Sequence, residues 1–318
     1  MGVLRRSVTT YLHKSLLLLI GWLMISANVS AGSFTALGSQ QYVRGTGSPV
    51  TESTNFSVKN PSTQYTLEVI NGGLEDATYE YVSSSVILLN GVQLFGPSDF
   101  NQNMSSLEAV VSLQSSNELS VTLMGKPNGA ITINIVGVDT DLPTITSTVS
   151  PAANTVSWNN TDTTVSFSCD DATSAIVSCS SPVTVTTDGA NQSIAGSATD
   201  EAGNGASSTV SINLDKTAPV ITAAVTPVAY VAGWNNSDVT VSFTCSDTLS
   251  GIASCPAPII VSTEGIAQVV SGTATDFAGN SATASVDISL DTTLPSIGSV
   301  LSGQPNATGW YNTPVTIT

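Results

Sequence analysis

One interval governs the second half of this sequence. Trp158, Trp234 and Trp310 stand 76 residues apart, and the same interval relates Pro143, Pro219 and Pro295 and also Asp139, Asp215 and Asp291. Between these markers Cys169 and Cys179 map onto Cys245 and Cys255. Asp200-x-Ala-Gly-Asn204 maps onto Asp276-x-Ala-Gly-Asn280 with no gap. A gapless repeat means that one structural unit is built more than once, each copy burying its own core. The repeats are placed at 140–217 and 218–293, with a third that begins at 294 and stops at Thr318.

Within a copy the pattern has period two. Val165, Phe167 and Cys169 alternate with Thr164, Ser166 and Ser168, and Val241, Phe243 and Cys245 repeat the alternation. Val183-Thr-Val-Thr, Ser207 to Leu214 and Ala282 to Leu290 continue it. Turn residues fall between the runs: Asn159-Asn160, Asp188-Gly189 and Gly203-Asn204. Short half-buried strands at this spacing predict an antiparallel β-sandwich of six or seven strands per copy, and no window carries a helical period.

Residues 32–139 do not copy the repeat but read as β-sandwich too. Tyr65, Leu67 and Val69 alternate before Asn71-Gly72-Gly73. Val86 to Leu89 and Val92 to Phe95 flank Asn90-Gly91, a strong hairpin signal because both residues tolerate positive φ. Leu119, Val121 and Leu123 lead through Gly125 to Gly129 into Ile131, Ile133 and Ile135, which reads as a second hairpin. The fold class expected is all-β, a tandem of sandwich modules.

Residues 1–31 read as a secretory signal peptide. Arg5, Arg6 and Lys14 precede the apolar run Ser15 to Ile25, and Val29-Ser30-Ala31 supplies small or compact residues for cleavage. The run is shorter than the roughly 20 residues that cross a bilayer. Export makes disulfides the natural state of the cysteines, so Cys169–Cys179 and Cys245–Cys255 are expected as one bridge per copy. The spacing of each pair is too short for the long-range immunoglobulin bridge between two sheets, and suggests a strand end tied to its following loop. Two thiols with no histidine do not complete a zinc site.

Composition then narrows function. His13, the only histidine, lies in the signal segment, which leaves the mature chain without Ser-His-Asp, Cys-His or histidine-zinc chemistry. No isolated carboxylate pair points to glycosidase chemistry, and no catalytic residue or cofactor is assigned. Past residue 31 only Arg44, Lys59, Lys126 and Lys216 oppose all 23 Asp and Glu. That balance repels nucleic acid and anionic lipid. The partners left open are an extracellular protein or a glycan, with no membrane insertion after signal removal and a monomeric array.

Gly233-Trp234-Asn235-Asn236, Val239 to Asp247, Ser250-Gly-Ile and Gly272 to Asn280 resemble bacterial immunoglobulin-like repeats, similar to the hyalin-type and OmpL47-like repeats of large surface proteins. The resemblance spans about 140–318 and implies spacer, adhesive or ligand-presenting roles without catalytic residues. Ser174-Ala175-Ile176 departs from the pattern. Tyr42 to Gly47, with Tyr65-Thr-Leu, Asn71 to Leu74 and Gly96 to Asn101, resembles an N-terminal module of exported bacterial multidomain proteins. A cell-surface or secreted location follows. The alternative is the non-catalytic front of a secreted hydrolase or YD-repeat toxin whose active domain lies beyond residue 318.

Three groups of residues stand out as candidates. Asp139, Asp215 and Asp291 sit at the junctions beside prolines, and with Asp200 or Asp276 would offer the oxygen ligands that calcium takes. The competing reading is that these aspartates cap turns. Trp158, Trp234 and Trp310 either form an exposed row or pack beneath turns. Tyr79, Tyr81 and Phe100 either stack on sugars or fill core and hairpin positions. Asn55, Asn103, Asn159, Asn191, Asn235 and Asn306 begin Asn-x-Ser/Thr sequons, as an Asn- and Ser-rich composition produces.

Overall fold

The structure, a computed structural model, describes residues 32–73 and 79–318; the signal-peptide assignment to 1–31 lies outside them. The regular structure of the described residues is nearly all strand. No described helix is long and apolar enough to cross a membrane.

The N-terminal strands are β1 (Gly32–Val43), β2 (Thr51–Ser57), β3 (Tyr65–Asn71), β4 (Glu80–Tyr81), β5 (Ser84–Leu89), β6 (Val92–Phe95), β7 (Ser106–Val111), β8 (Ser116–Met124) and β9 (Gly129–Asp139). One sheet runs β1-β9-β3-β7 with β4 on β9, and the other runs β2-β8-β5-β6. Tyr65, Leu67, Val69, Ile131, Ile133 and Ile135 from the first sheet meet Ile87, Leu119 and Val121 from the second, all at or near zero exposure. Period-two alternation produces this: each strand sends one face inward, and burying such a side chain contributes about 1.5–3 kcal/mol.

Asn90 (φ +52°) and Gly91 (φ +79°) turn β5 into β6 as the sequence predicts. The second expected hairpin does not form. Across Gly125 to Gly129 the chain leaves β8 in one sheet and enters β9 in the other. Both strands are inward-facing on alternate residues, and that pattern is the same whether two strands pair or face each other across a core.

The first repeat contains β10 (Thr144–Ser150), β11 (Thr163–Asp170), β12 (Ile176–Cys179), β13 (Val183–Val185), β14 (Gly189–Asp200) and β15 (Gly205–Leu214). They form sheets β10-β11-β13 and β12-β14-β15. The second contains β16 (Val220–Thr226), β17 (Trp234–Asn235), β18 (Val239–Ser246), β19 (Ile252–Ser254), β20 (Ile259–Val261), β21 (Gly265–Asp276) and β22 (Ser281–Leu290), in sheets β16-β18-β20 and β17-β22-β21-β19. The cores are small: Val165, Val185, Ile212 and Leu214 in the first copy, and six buried residues led by Val239, Val241 and Leu290 in the second.

Two expectations change here. Asn159 and Asn235 are not turn residues. Each is buried and pairs in parallel with the last strand of its copy, and its side-chain amide donates to the carbonyl of Pro151 or Pro227 at 3.1 and 3.0 Å. The disulfides pair as expected, but they join sheets rather than tie a strand to its own loop. Cys169 lies on β11 and Cys179 on β12 of the opposite sheet; Cys245 lies on β18 and Cys255 directly follows β19. A ten-residue separation suffices because the chain crosses from one sheet to the other within it.

Contacts divide the chain into two compact units. One comprises the described residues up to Pro143 with Asp171–Val177 and Thr199–Ala206; the other comprises Thr144–Asp170, Ser178–Ala198 and Ser207–Thr318. After β22, the described residues 292–318 carry a single bridge, Leu301 to Ile317.

Candidate metal centres

In the first unit β9 ends on Asp139, β11 runs out immediately before Asp171, and β14 ends on Asp200. Oxygens of these three carboxylates lie within 4.8 Å of one another, and all three residues are buried at 1–3 % exposure. The second unit repeats the arrangement one period on with Asp215, Asp247 and Asp276. Of the acids singled out in the sequence, Asp139 therefore joins Asp200, and Asp215 joins Asp276. Asp291 joins neither: it is exposed, and its Oδ1 accepts the Thr293 amide at 3.0 Å.

Asp171 and Asp247 escaped the sequence reading, although each lies two residues past the first cysteine of its copy. That recurrence was visible. It was masked because both acids sit in a Ser- and Asp-rich turn where a carboxylate needs no further explanation.

Turn capping and clustering are both present. In the first cluster Asp139 Oδ1 accepts the Asp141 amide at 2.9 Å. Asp171 Oδ1 accepts the amides of Thr173 and Ser174, both at 2.8 Å. Asp200 receives Asn204 twice, backbone to Oδ1 at 2.7 Å and side chain to Oδ2 at 2.9 Å. One oxygen of Asp139 and one of Asp171 are thus consumed by turns, while Oδ2 of each is buried without a hydrogen-bond partner. Asn204 Oδ1 and Ser174 Oγ are in the same condition. Buried acceptors without donors are costly, and carboxylates most of all.

Lys59 contributes one cation nearby, donating its ammonium to the Asp171 carbonyl oxygen at 3.0 Å. The phenol of Tyr65 donates to the Asn60 carbonyl at 2.7 Å. Burial, and behind it the negative charge of Asp139, pushes that phenol above its usual range.

The second cluster is wired differently. Ser250 N donates to Asp215 Oδ2 at 3.0 Å, and Gly251 N donates to Asp247 Oδ1 at 2.7 Å. Gly251 has φ +84°, whereas Ala175 at the matching position is not among the residues with positive φ. Glycine reaches that region freely and alanine does not, so the departure noted at Ser174-Ala175-Ile176 changes where the loop amides point. In the second copy they satisfy Asp215; in the first they leave Asp139 Oδ2 bare. Asn280 shares with Asn204 the side-chain bond to its aspartate Oδ2, but it also donates to the carbonyls of Asp215 and Thr217.

The aromatic candidates divide. Phe100 is a core residue, 4 % exposed, and offers no sugar platform. Tyr81 is exposed but lies edge-on against Gly72, and Tyr79 is half-buried beside Gly73. Trp158 is half-buried, Trp234 is 38 % exposed and Trp310 is 74 % exposed, so the three share a sequence position without sharing an environment. A cleft of about 250 Å³ beside Arg44 is lined by Tyr42, Thr46, Glu52 and Leu123; the Arg44 guanidinium is turned to the Gly45 and Gly47 carbonyls.

Fold and sites together define an all-β protein of β-sandwich modules. Two of the modules are disulfide-stapled, and each of those carries a largely buried three-aspartate cluster at its entry. The two disulfides are the mark of an oxidising, extracellular setting. No protein-family model matches the chain, and no curated protein matches it. Among solved structures it is similar to a GH2 beta-galacturonidase from Eisenbergiella tayi bound to galacturonate, at 10 % identity and a TM-score of 0.20. That alignment covers 76 % of this chain and 44 % of the other, so the chain spans less than half the length of that structure. A likeness at that level carries no argument.

Proposed function

We propose that this protein is an exported, non-catalytic array of immunoglobulin-like modules from a bacterial surface or secreted protein, serving as a spacer that presents a ligand-binding region. The observation that carries this reading is that the second copy reproduces the first at a fixed interval in strands, disulfide and acid cluster alike. Repetition of a complete folding unit is what a spacer requires, since length is gained by adding copies, each stable on its own core and near-neighbour contacts. Oxidised cysteines and a signal-like leader support export. The absence of histidine after His13 supports a role without histidine-dependent acid–base or nucleophilic chemistry.

The test uses intact producing cells. Antibody raised against residues 32–139 should label them from outside, and the cysteines of the recovered protein should be fully oxidised. A product confined to the cytoplasm with four reactive thiols overturns the reading. So does turnover of a polysaccharide or peptide substrate by the purified chain.

A further inference from the structure

We infer that Asp139, Asp171 and Asp200 form a calcium site that fastens the end of β9 to two segments of the first repeat. Three observations converge. The three carboxylates approach within 4.8 Å in a setting almost closed to solvent, where like charges repel strongly unless a cation lies between them. Oxygens sharing a calcium at about 2.3–2.6 Å stand no more than roughly twice that length apart, which matches this spacing. Beyond the acids themselves, Asn204 Oδ1 and Ser174 Oγ are buried with no hydrogen-bond partner, as are Asp139 Oδ2 and Asp171 Oδ2.

That set is oxygen only. It contains no imidazole and no thiolate, so it suits a hard divalent ion rather than zinc or copper. Its side-chain oxygens, supplemented by carbonyls or water, approach the six to eight ligands calcium takes. Magnesium requires near-ideal octahedral geometry and keeps much of its water, which a closed pocket of fixed turns does not accommodate.

The turn bonds place the ligands. Because Asp141 N holds Asp139 Oδ1 and the Thr173 and Ser174 amides hold Asp171 Oδ1, each carboxylate is oriented before an ion arrives. Thr173 Oγ1 adds a bond to Asp141 Oδ2 at 2.9 Å and receives one from Asn60 Nδ2 at 2.8 Å, joining the Asp171 segment to the residues that follow β9 and β2. The cluster of Asp215, Asp247 and Asp276 is the internal comparison, since there a loop amide already occupies Asp215 Oδ2.

The experiment is calorimetric titration of calcium into the purified, calcium-stripped chain, alongside thermal unfolding with chelator and with millimolar calcium. Wild type should bind one more equivalent of calcium than Asp171→Asn, and Asp247→Asn should retain the equivalent that Asp171→Asn loses. The two conditions should reverse the order of stability. In chelator Asp171→Asn should unfold at or above the wild-type temperature, because a repelling charge is gone; in calcium it should unfold below. Equal stoichiometry in wild type and Asp171→Asn overturns the site. An unchanged wild-type midpoint on adding calcium does so too, and an equal response to magnesium overturns its assignment to calcium. Should Asp171→Asn fail to fold, Asn204→Asp supplies the readout, since an added carboxylate should tighten calcium binding severalfold. None of these outcomes depends on where the cell places the protein.

Discussion

Phe167 lies across Gly196 so closely that a Cβ there would stand 2.4 Å from the ring, and Phe243 covers Gly272 in the same way at 2.8 Å. Each ring comes from one sheet of its copy and each glycine from the other. Phe167 and Phe243 are the largest side chains in cores otherwise made of Val, Ile, Leu and Ala, and the missing Cβ gives them their place. Gly196→Ala should therefore destabilise the first repeat by about 1–3 kcal/mol through overpacking. Gly272→Ala should cost less because its contact is longer. Urea unfolding of the two variants measures both, and equal stability of Gly196→Ala and wild type would count against this packing.

The disulfides should matter more than their short separation suggests. Closing a loop of about eleven residues stabilises by about 3 kcal/mol in the chain-entropy model, and cores this small leave little reserve. Replacing Cys169 and Cys179 by serine should lower the unfolding midpoint of the first repeat by about 10–20 °C, and loss of Cys245–Cys255 should act on the second alone. Limited proteolysis with mass spectrometry, reading which repeat is cut first, separates the two.

Asn280 carries three acceptors on one amide: Asp276 Oδ2 at 2.9 Å, Asp215 O at 2.8 Å and Thr217 O at 3.2 Å. Its loss takes the donor from Asp276 Oδ2, while Oδ1 keeps the Gly279 and Asn280 amides, and frees the segment around Thr217. Asn280→Ala should cost about 2 kcal/mol or more, whereas Asn280→Asp should be worse without a cation because it adds a fourth acid. Denaturant unfolding in chelator checks the order.

Glu264 supplies a pH-dependent fastening after β22. Its Oε1 accepts from the Thr292 hydroxyl at 2.6 Å, the Thr293 hydroxyl at 2.9 Å and the Thr292 amide at 2.9 Å. Those bonds, the Thr292 hydroxyl first, hold its carboxyl below the ordinary glutamate range. A folded value below the unfolded one means the contribution is present above the unfolded pKa, about 4.3, and is lost as pH falls through the folded value. The Thr292 amide resonance should titrate with a midpoint below about 4.3, and Glu264→Gln should abolish the titration. Asp188 stands at the matching position of the preceding repeat, where its carboxylate accepts the Lys216 amide and the Thr217 hydroxyl.

The Ala175 and Gly251 difference gives a last test. Ala175→Gly allows the first loop the positive φ that Gly251 adopts, and with it an amide aimed at Asp139 Oδ2 as Ser250 N is aimed at Asp215 Oδ2. In chelator the variant should lose less stability than the roughly 0.5–1 kcal/mol expected of an exposed alanine-to-glycine change. Thermal unfolding of the variant beside wild type measures the difference.

Strand by strand, the fold was legible in the residues. Val165-x-Phe167-x-Cys169 states which face of a strand is inward, Asn90-Gly91 states where a hairpin turns, and the fixed interval states that the unit recurs. The paired cysteines were legible too, because each copy holds only two. What alternation does not encode is the identity of a strand's neighbour. Residues Leu119 to Leu123 and Ile131 to Ile135 point inward whether they pair or oppose, and only closure of the core put them in different sheets. The same closure made Cys169–Cys179 an inter-sheet bridge. It also gathered Asp139, Asp171 and Asp200 from three strand ends that lie far apart along the chain. Sequence fixes local backbone preference and the side each residue faces; convergence of distant acids depends on how two sheets stack, a consequence of packing the whole chain at once.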